Sequence, residues 1–140
     1  MESGASAPTG GRPALLIALA ALLFVEGAGA VVLVVWLLID VLTVTPESYA
    51  SAVAIVVLAA LAAVWVTFTA VATLRARSWV RASVVTWQIL QIAVAIGCFQ
   101  GLYARPDLGW ALLVPALVGI GLALSPSVIR ATTRNKTEHD

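Results

Sequence analysis

One carboxylate and three amides interrupt stretches that are otherwise apolar enough to cross a membrane: Glu26, Gln88, Gln91 and Gln100. Hydrocarbon offers these groups no hydrogen bonds, so each must find a partner inside the protein or on another chain. An ionised carboxylate at the bilayer centre costs about 2.5–3.5 kcal/mol on insertion scales. Glu26 is therefore expected to turn away from lipid. No basic residue lies at its depth in another span, so a neutral acid or a hydrogen bond to an amide is expected instead of an ion pair.

Counting inward from the span ends puts Gln91 at nearly the depth of Glu26, with Gln88 about one turn closer to the cytoplasm. The expected constellation is a buried polar cluster of Glu26, Gln88 and Gln91, with Thr67 as its fourth member. Two chemistries fit it. An intramembrane acid can be a proton- or cation-coupling group on a transport path, or a neutral group that cements helices. The absence of a second titratable group at that depth gives no relay and favours cement. Glutamines facing one another across helices serve the same purpose.

Other chemistries are poorly served. The one histidine, His139, lies in a polar tail, and the one cysteine, Cys98, lies inside an apolar span. That leaves no His/Cys set for a metal, no histidine-assisted nucleophile and no intrachain disulfide. There is no phosphate loop, HExxH or CxxC. Neither an enzyme, a cofactor nor a nucleic-acid partner is expected, and the net charge of +1 says little by itself.

The elements that must hold these residues follow from composition. With 61% hydrophobic and 11% charged residues in 140, and a mean hydropathy of +1.03, the chain holds more apolar surface than a soluble core of this size can hide. Four spans are expected, at about 13–39, 49–74, 79–103 and 108–129, between a disordered lead over 1–12 and a disordered tail over 130–140. A cleaved signal peptide competes for the first span, because small residues follow Glu26. The apolar run continues through Ile39, well past them, which favours a retained helix.

The third span carries the organising pattern. At 100° per residue, Gln88, Gln91, Ala95 and Cys98 share one face, and Ala93, Gly97 and Gly101 form a small-residue ridge roughly opposite. Such a helix could touch neighbours on both sides, which places it at the centre of the bundle, with the ridge as an internal contact or a dimer face. In the second span Ala59 and Ala63 permit close approach, and its threonines are expected to bond back to their own helix. Pro115 should kink the fourth span and release a carbonyl near Ala111.

Charge orients the chain. Arg12, the cluster Arg75, Arg77 and Arg81, and the group Arg130, Arg134 and Lys136 all fall on one side, leaving Arg105 on the other. Both termini are then cytoplasmic. Trp36, Tyr49, Tyr103 and Trp110 make the outer aromatic belt, and Trp79 lies at the inner interface. Arg75, Arg77, Trp79 and Arg81 read as a cytoplasmic interface anchor, with anionic lipid head groups as an alternative ligand. The sequon Asn135-Lys136-Thr137 falls on the cytoplasmic side and is discounted. The expected protein is an all-α, four-helix transmembrane bundle with up-down-up-down topology in the plasma membrane.

The order Glu26-Gly27, then Arg77-x-Trp79-x-Arg81, then Thr86-Trp87-Gln88-x-x-Gln91 and Gln100-Gly101 resembles a group of small four-span actinobacterial membrane proteins without an assigned activity. The resemblance spans about Ala14 to Arg130 and implies the same fold and a plasma-membrane location. A narrower likeness, confined to size and Glu26, is to small multidrug-resistance transporters. The leading functional expectation is a non-enzymatic accessory or interaction subunit that contacts the bilayer and other membrane proteins or further copies of itself. The alternative is a small oligomeric proton- or ion-coupled transporter using Glu26. An enzyme acting on lipid has least support, because only arginines gather at an interface.

Overall fold

The computed structural model describes residues 14–101 and 104–139, and side chains as far as Thr133. The lead over 1–12, Tyr103 and the side chains of Arg134 and Lys136 lie outside the described residues. Five helices follow in order: α1 (Ala14–Thr43), α2 (Tyr49–Leu74), α3 (Val80–Phe99), α4 (Pro106–Ala123) and α5 (Pro126–His139). Among the described residues there is no strand. The first four helices have the length and composition to cross a bilayer, so this is a multi-pass membrane protein.

The boundaries have local causes. Ser48 caps α2 by accepting from the Ser51 backbone N–H at 3.3 Å. Pro106 and Pro126 open α4 and α5, where the first turn lacks amide partners anyway. At the end of α2, Ala76 N–H donates to Thr73 O at 3.0 Å and Arg77 N–H to Ala72 O at 3.4 Å, with Ala76 at φ +51°. This is a Schellman turn whose left-handed position holds alanine where glycine is usual.

Two expectations change here. The fourth span does not reach residue 129; it stops at Ala123, because Pro126 cannot continue the amide ladder and starts a new helix instead. Residues 130–139, expected as an irregular tail, continue α5. Val128 and Thr132, one turn apart, are buried against the bundle end, and this contact gives the segment a reason to be helical.

The helices form a ring. α1 packs along α2 and α3 along α4, while α1 meets α4, and α2 meets α3, over much smaller areas. The backbones across the diagonals do not meet. α3 is thus one corner of the ring and not its centre, a third correction. Its buried residues Val80, Val84, Gln88, Gln91 and Ala95 make a single stripe, while Ala93 and Gly97 face outward and Gly101 lies beyond the helix in the following turn. A Cβ on Gly97 would meet nothing within 4 Å, so the small residues serve no internal contact.

In the first hairpin burial is confined to one end, whereas in the second it continues through Ala95 and Gly109. The apolar core joins Leu16, Leu19 and Leu23 of α1, Val66 and Ala70 of α2, Val80 and Val84 of α3, Ala123 of α4 and Val128 of α5. From residue 28 to residue 62 no residue is buried, although a half-buried stripe of Ala30, Val34, Leu37 and Val41 still faces α2. The opposing face of α2 is small, through Ala52, Ala59 and Ala63, as expected for close approach. Each hairpin is therefore zipped along its length, but the two hairpins join only near the chain termini. At 30 residues α1 is about 45 Å long against about 30 Å for the 20-residue α3, so the first hairpin also overreaches the second.

Candidate functional site

Glu26 stands where the closed end gives way to the open one, twelve residues and roughly 18 Å into α1. Its neighbour Gly27 is buried flush against α2: a Cβ there would come within 2.9 Å of Thr67 Oγ1. With α2 so close, the Glu26 side chain crosses the ring toward α3. Trp87 Nε1 donates to Glu26 Oε2 at 3.0 Å, and Gln88 Nε2 donates to the same oxygen at 3.2 Å. The diagonal that backbones leave empty is thus spanned by polar side chains.

The fully buried Gln88 fits because α4 has no side chain opposite it. A Cβ on Gly119 would overlap Gln88 Nε2 and lie 2.7 Å from its Cδ. Gln91 lies one turn further along the same buried stripe of α3. Its Nε2 donates to Leu112 O at 2.9 Å. Pro115 has no amide hydrogen for Ala111 O, and Gln91 takes the next carbonyl along.

Three buried oxygens have no donor among the described residues: Glu26 Oε1, Gln88 Oε1 and Gln91 Oε1. A buried acceptor left unpaired costs about 1–3 kcal/mol, so three together make this the most under-satisfied part of the interior.

Several site expectations are refined by this arrangement. Gln88, not Gln91, is the glutamine hydrogen-bonded to Glu26. Counting from the span ends, which sets Gln91 level with Glu26, therefore misplaces the register by about one turn. Thr67 packs on Gly27 and makes no hydrogen bond to the carboxylate. Trp87 and Gly119 are site residues that counting amides misses. The signal for Trp87 was a tryptophan at mid-span, far from the interfaces that indoles prefer.

A second polar thread ties α2 to α3. Trp65 Nε1 donates to Ser83 Oγ at 2.8 Å, and Thr69 Oγ1 shares a 2.8 Å hydrogen bond with the same oxygen. Thr69 therefore reaches across to another helix, whereas Thr73 bonds back to Thr69 O at 2.7 Å. The Trp65 and Trp87 rings meet edge to face at 6.4 Å, which links this thread to the Glu26 cluster.

The arginine turn lies at the closed end. Trp79 stacks on Phe68 with ring centroids 5.6 Å apart, and with Val71, Ala72, Arg75 and Arg77 they line a shallow cavity of about 310 Å³. Arg81 is half-buried on the first turn of α3. At the other end, Arg105 and Asp107 form an exposed ion pair at 2.9 Å, and the carboxylate lifts the guanidinium pKa above its usual value. Phe99 covers Gly109 and meets Trp110 edge to face at 5.5 Å, packing the α3–α4 turn end of the second hairpin.

Among the described residues no group of three His, Cys, Asp or Glu side chains comes together as a metal site. The chain matches no protein-family model, no curated protein and no solved structure. The fold and the site together define the class, a multi-pass helical membrane protein with a polar cluster at mid-bundle.

Proposed function

We propose that this protein is a non-enzymatic subunit of a membrane assembly, inserted in the plasma membrane with both termini cytoplasmic. One observation carries the reading: nothing from residue 28 to 62 is buried, so a whole half-hairpin has no protein partner within its own chain beyond the other arm. Transmembrane helices gain stability from close packing and gain little from leaving lipid, so this half contributes least to the fold of its own chain. The outward Ala93 and Gly97 of α3 add a place where another helix can approach to backbone contact.

The test is site-specific photo-crosslinking in native membranes. Probes at Val32, Leu58 and Gly97 should yield discrete adducts, with a second copy or with another membrane protein, and a probe at Leu19 should yield none. Lipid adducts alone from all four positions would refute the reading. Orientation is checked separately by labelling single cysteines at Ser78 and Asp107 in sealed cells, from which Asp107 alone should react with an impermeant reagent.

A further inference from the structure

We propose that Glu26, Gln88 and Gln91 form a binding site for one exchangeable monovalent cation, a proton or an ion of sodium's size. The donors are already placed. Trp87 and Gln88 both donate to Oε2 of Glu26, which leaves Oε1 with its lone pairs free. Each glutamine spends its Nε2 on an acceptor, Gln88 on Glu26 and Gln91 on Leu112 O, so both amide groups are oriented with Oε1 unbonded. Gln88 is fully buried and Gln91 nearly so, and neither can turn its oxygen to water. Three hard oxygen acceptors in one buried cluster require something that accepts lone pairs.

Charge selects its valence. The cluster carries at most one negative charge, and among the described residues no other titratable side chain hydrogen-bonds to it; α5, at the closed end, carries Arg130. α1 otherwise offers only Asp40 near its end, and α2 only Tyr49 at its start. α3 offers Arg81 and Cys98 near its two ends, and α4 only Asp107 in its first turn. A single positive charge neutralises the site, whereas a divalent ion would leave a net charge in hydrocarbon.

The experiment uses the full chain in lipid nanodiscs and follows the Glu26 carboxyl band by difference infrared spectroscopy, with Glu26→Gln to identify the band. The probes are pH and sodium chloride, with N-methylglucamine chloride as the ionic-strength control. A sodium site predicts that the protonated band disappears on adding sodium at fixed pH, with the half-saturating concentration rising about tenfold for each pH unit of acidification. A proton site predicts a titration unmoved by sodium. In either case Gln91→Leu should shift the midpoint by about one pH unit or tenfold in sodium. Because Gln88 is tightly packed against Gly119, the Gln91 variant is the informative one, and its helical circular dichroism should match wild type. A carboxyl band that responds to neither pH nor sodium, or a midpoint that Gln91→Leu leaves unchanged, overturns the proposal.

Discussion

The two ends of this bundle are made of the same residue types and do opposite things. At the closed end Leu16, Leu19 and Leu23 are fully buried among residues of all the other helices. At the open end Leu33, Leu38 and Leu42 on the same helix are 46%, 47% and 77% exposed. In a soluble protein that contrast would be untenable, but in a bilayer an exposed leucine loses little, because lipid tails are as apolar as a core. Hydropathy therefore marks what is in the membrane without marking what is packed. Packing is decided by shape: Gly27 against Thr67 and Gly119 against Gln88 let side chains interlock at the closed end and up to Glu26.

Substitutions can break that comparison or sharpen it. The largest effect is expected from Gly119→Val. Its side chain would overlap the Gln88 amide and force it off Glu26, at a cost of about 3 kcal/mol in reversible unfolding from mixed micelles. Gly121→Val, two residues on with nothing within 4 Å of a Cβ, should change stability by less than about 0.5 kcal/mol. Next, Leu19→Ala should cost about 2–3 kcal/mol through the cavity it leaves, whereas Leu38→Ala should cost less than about 1 kcal/mol in the same assay. Equal losses at the two leucines would erase the difference between the ends.

Smaller effects probe the polar cluster between them. Trp87→Phe keeps the ring and removes one donor to Glu26, an expected loss of about 0.6–1.7 kcal/mol. Glu26→Gln keeps an acceptor for both Trp87 and Gln88 and should be neutral to within about 0.5 kcal/mol, although it abolishes ion binding. At the arginine turn, Ala76→Gly relieves a left-handed alanine and should stabilise by about 1 kcal/mol, seen as a higher midpoint of thermal unfolding.

Much of the fold was legible because its signals are local. The existence of four apolar helices and the stripe of Gln88, Gln91 and Ala95 both follow from hydropathy and a 100° period. What escaped depends on relations between helices. The ring order, the one-turn register shift that pairs Glu26 with Gln88, and the vacancy at Gly119 are set by which surfaces fit together, and periodicity does not encode that. α5 escaped for a related reason. Its sequence has little apolar content, and its helix is supported by burying Val128 and Thr132 against a bundle end that only the assembled fold supplies. Small residues were read as contacts wherever they aligned. Those of α2 do line the hairpin, while Ala93 and Gly97 face away from every other helix.

The central claim is that the two hairpins close on each other at one end and part at the other, where the first hairpin buries nothing. A nitroxide scan along α1, from Leu16 to Leu42, with oxygen accessibility read in nanodiscs holding a single copy, tests it directly. The account predicts deep minima at Leu16, Leu19, Leu23 and Gly27, and only shallow ones at Ala30, Val34, Leu37 and Val41. Minima of equal depth along the whole helix would contradict it.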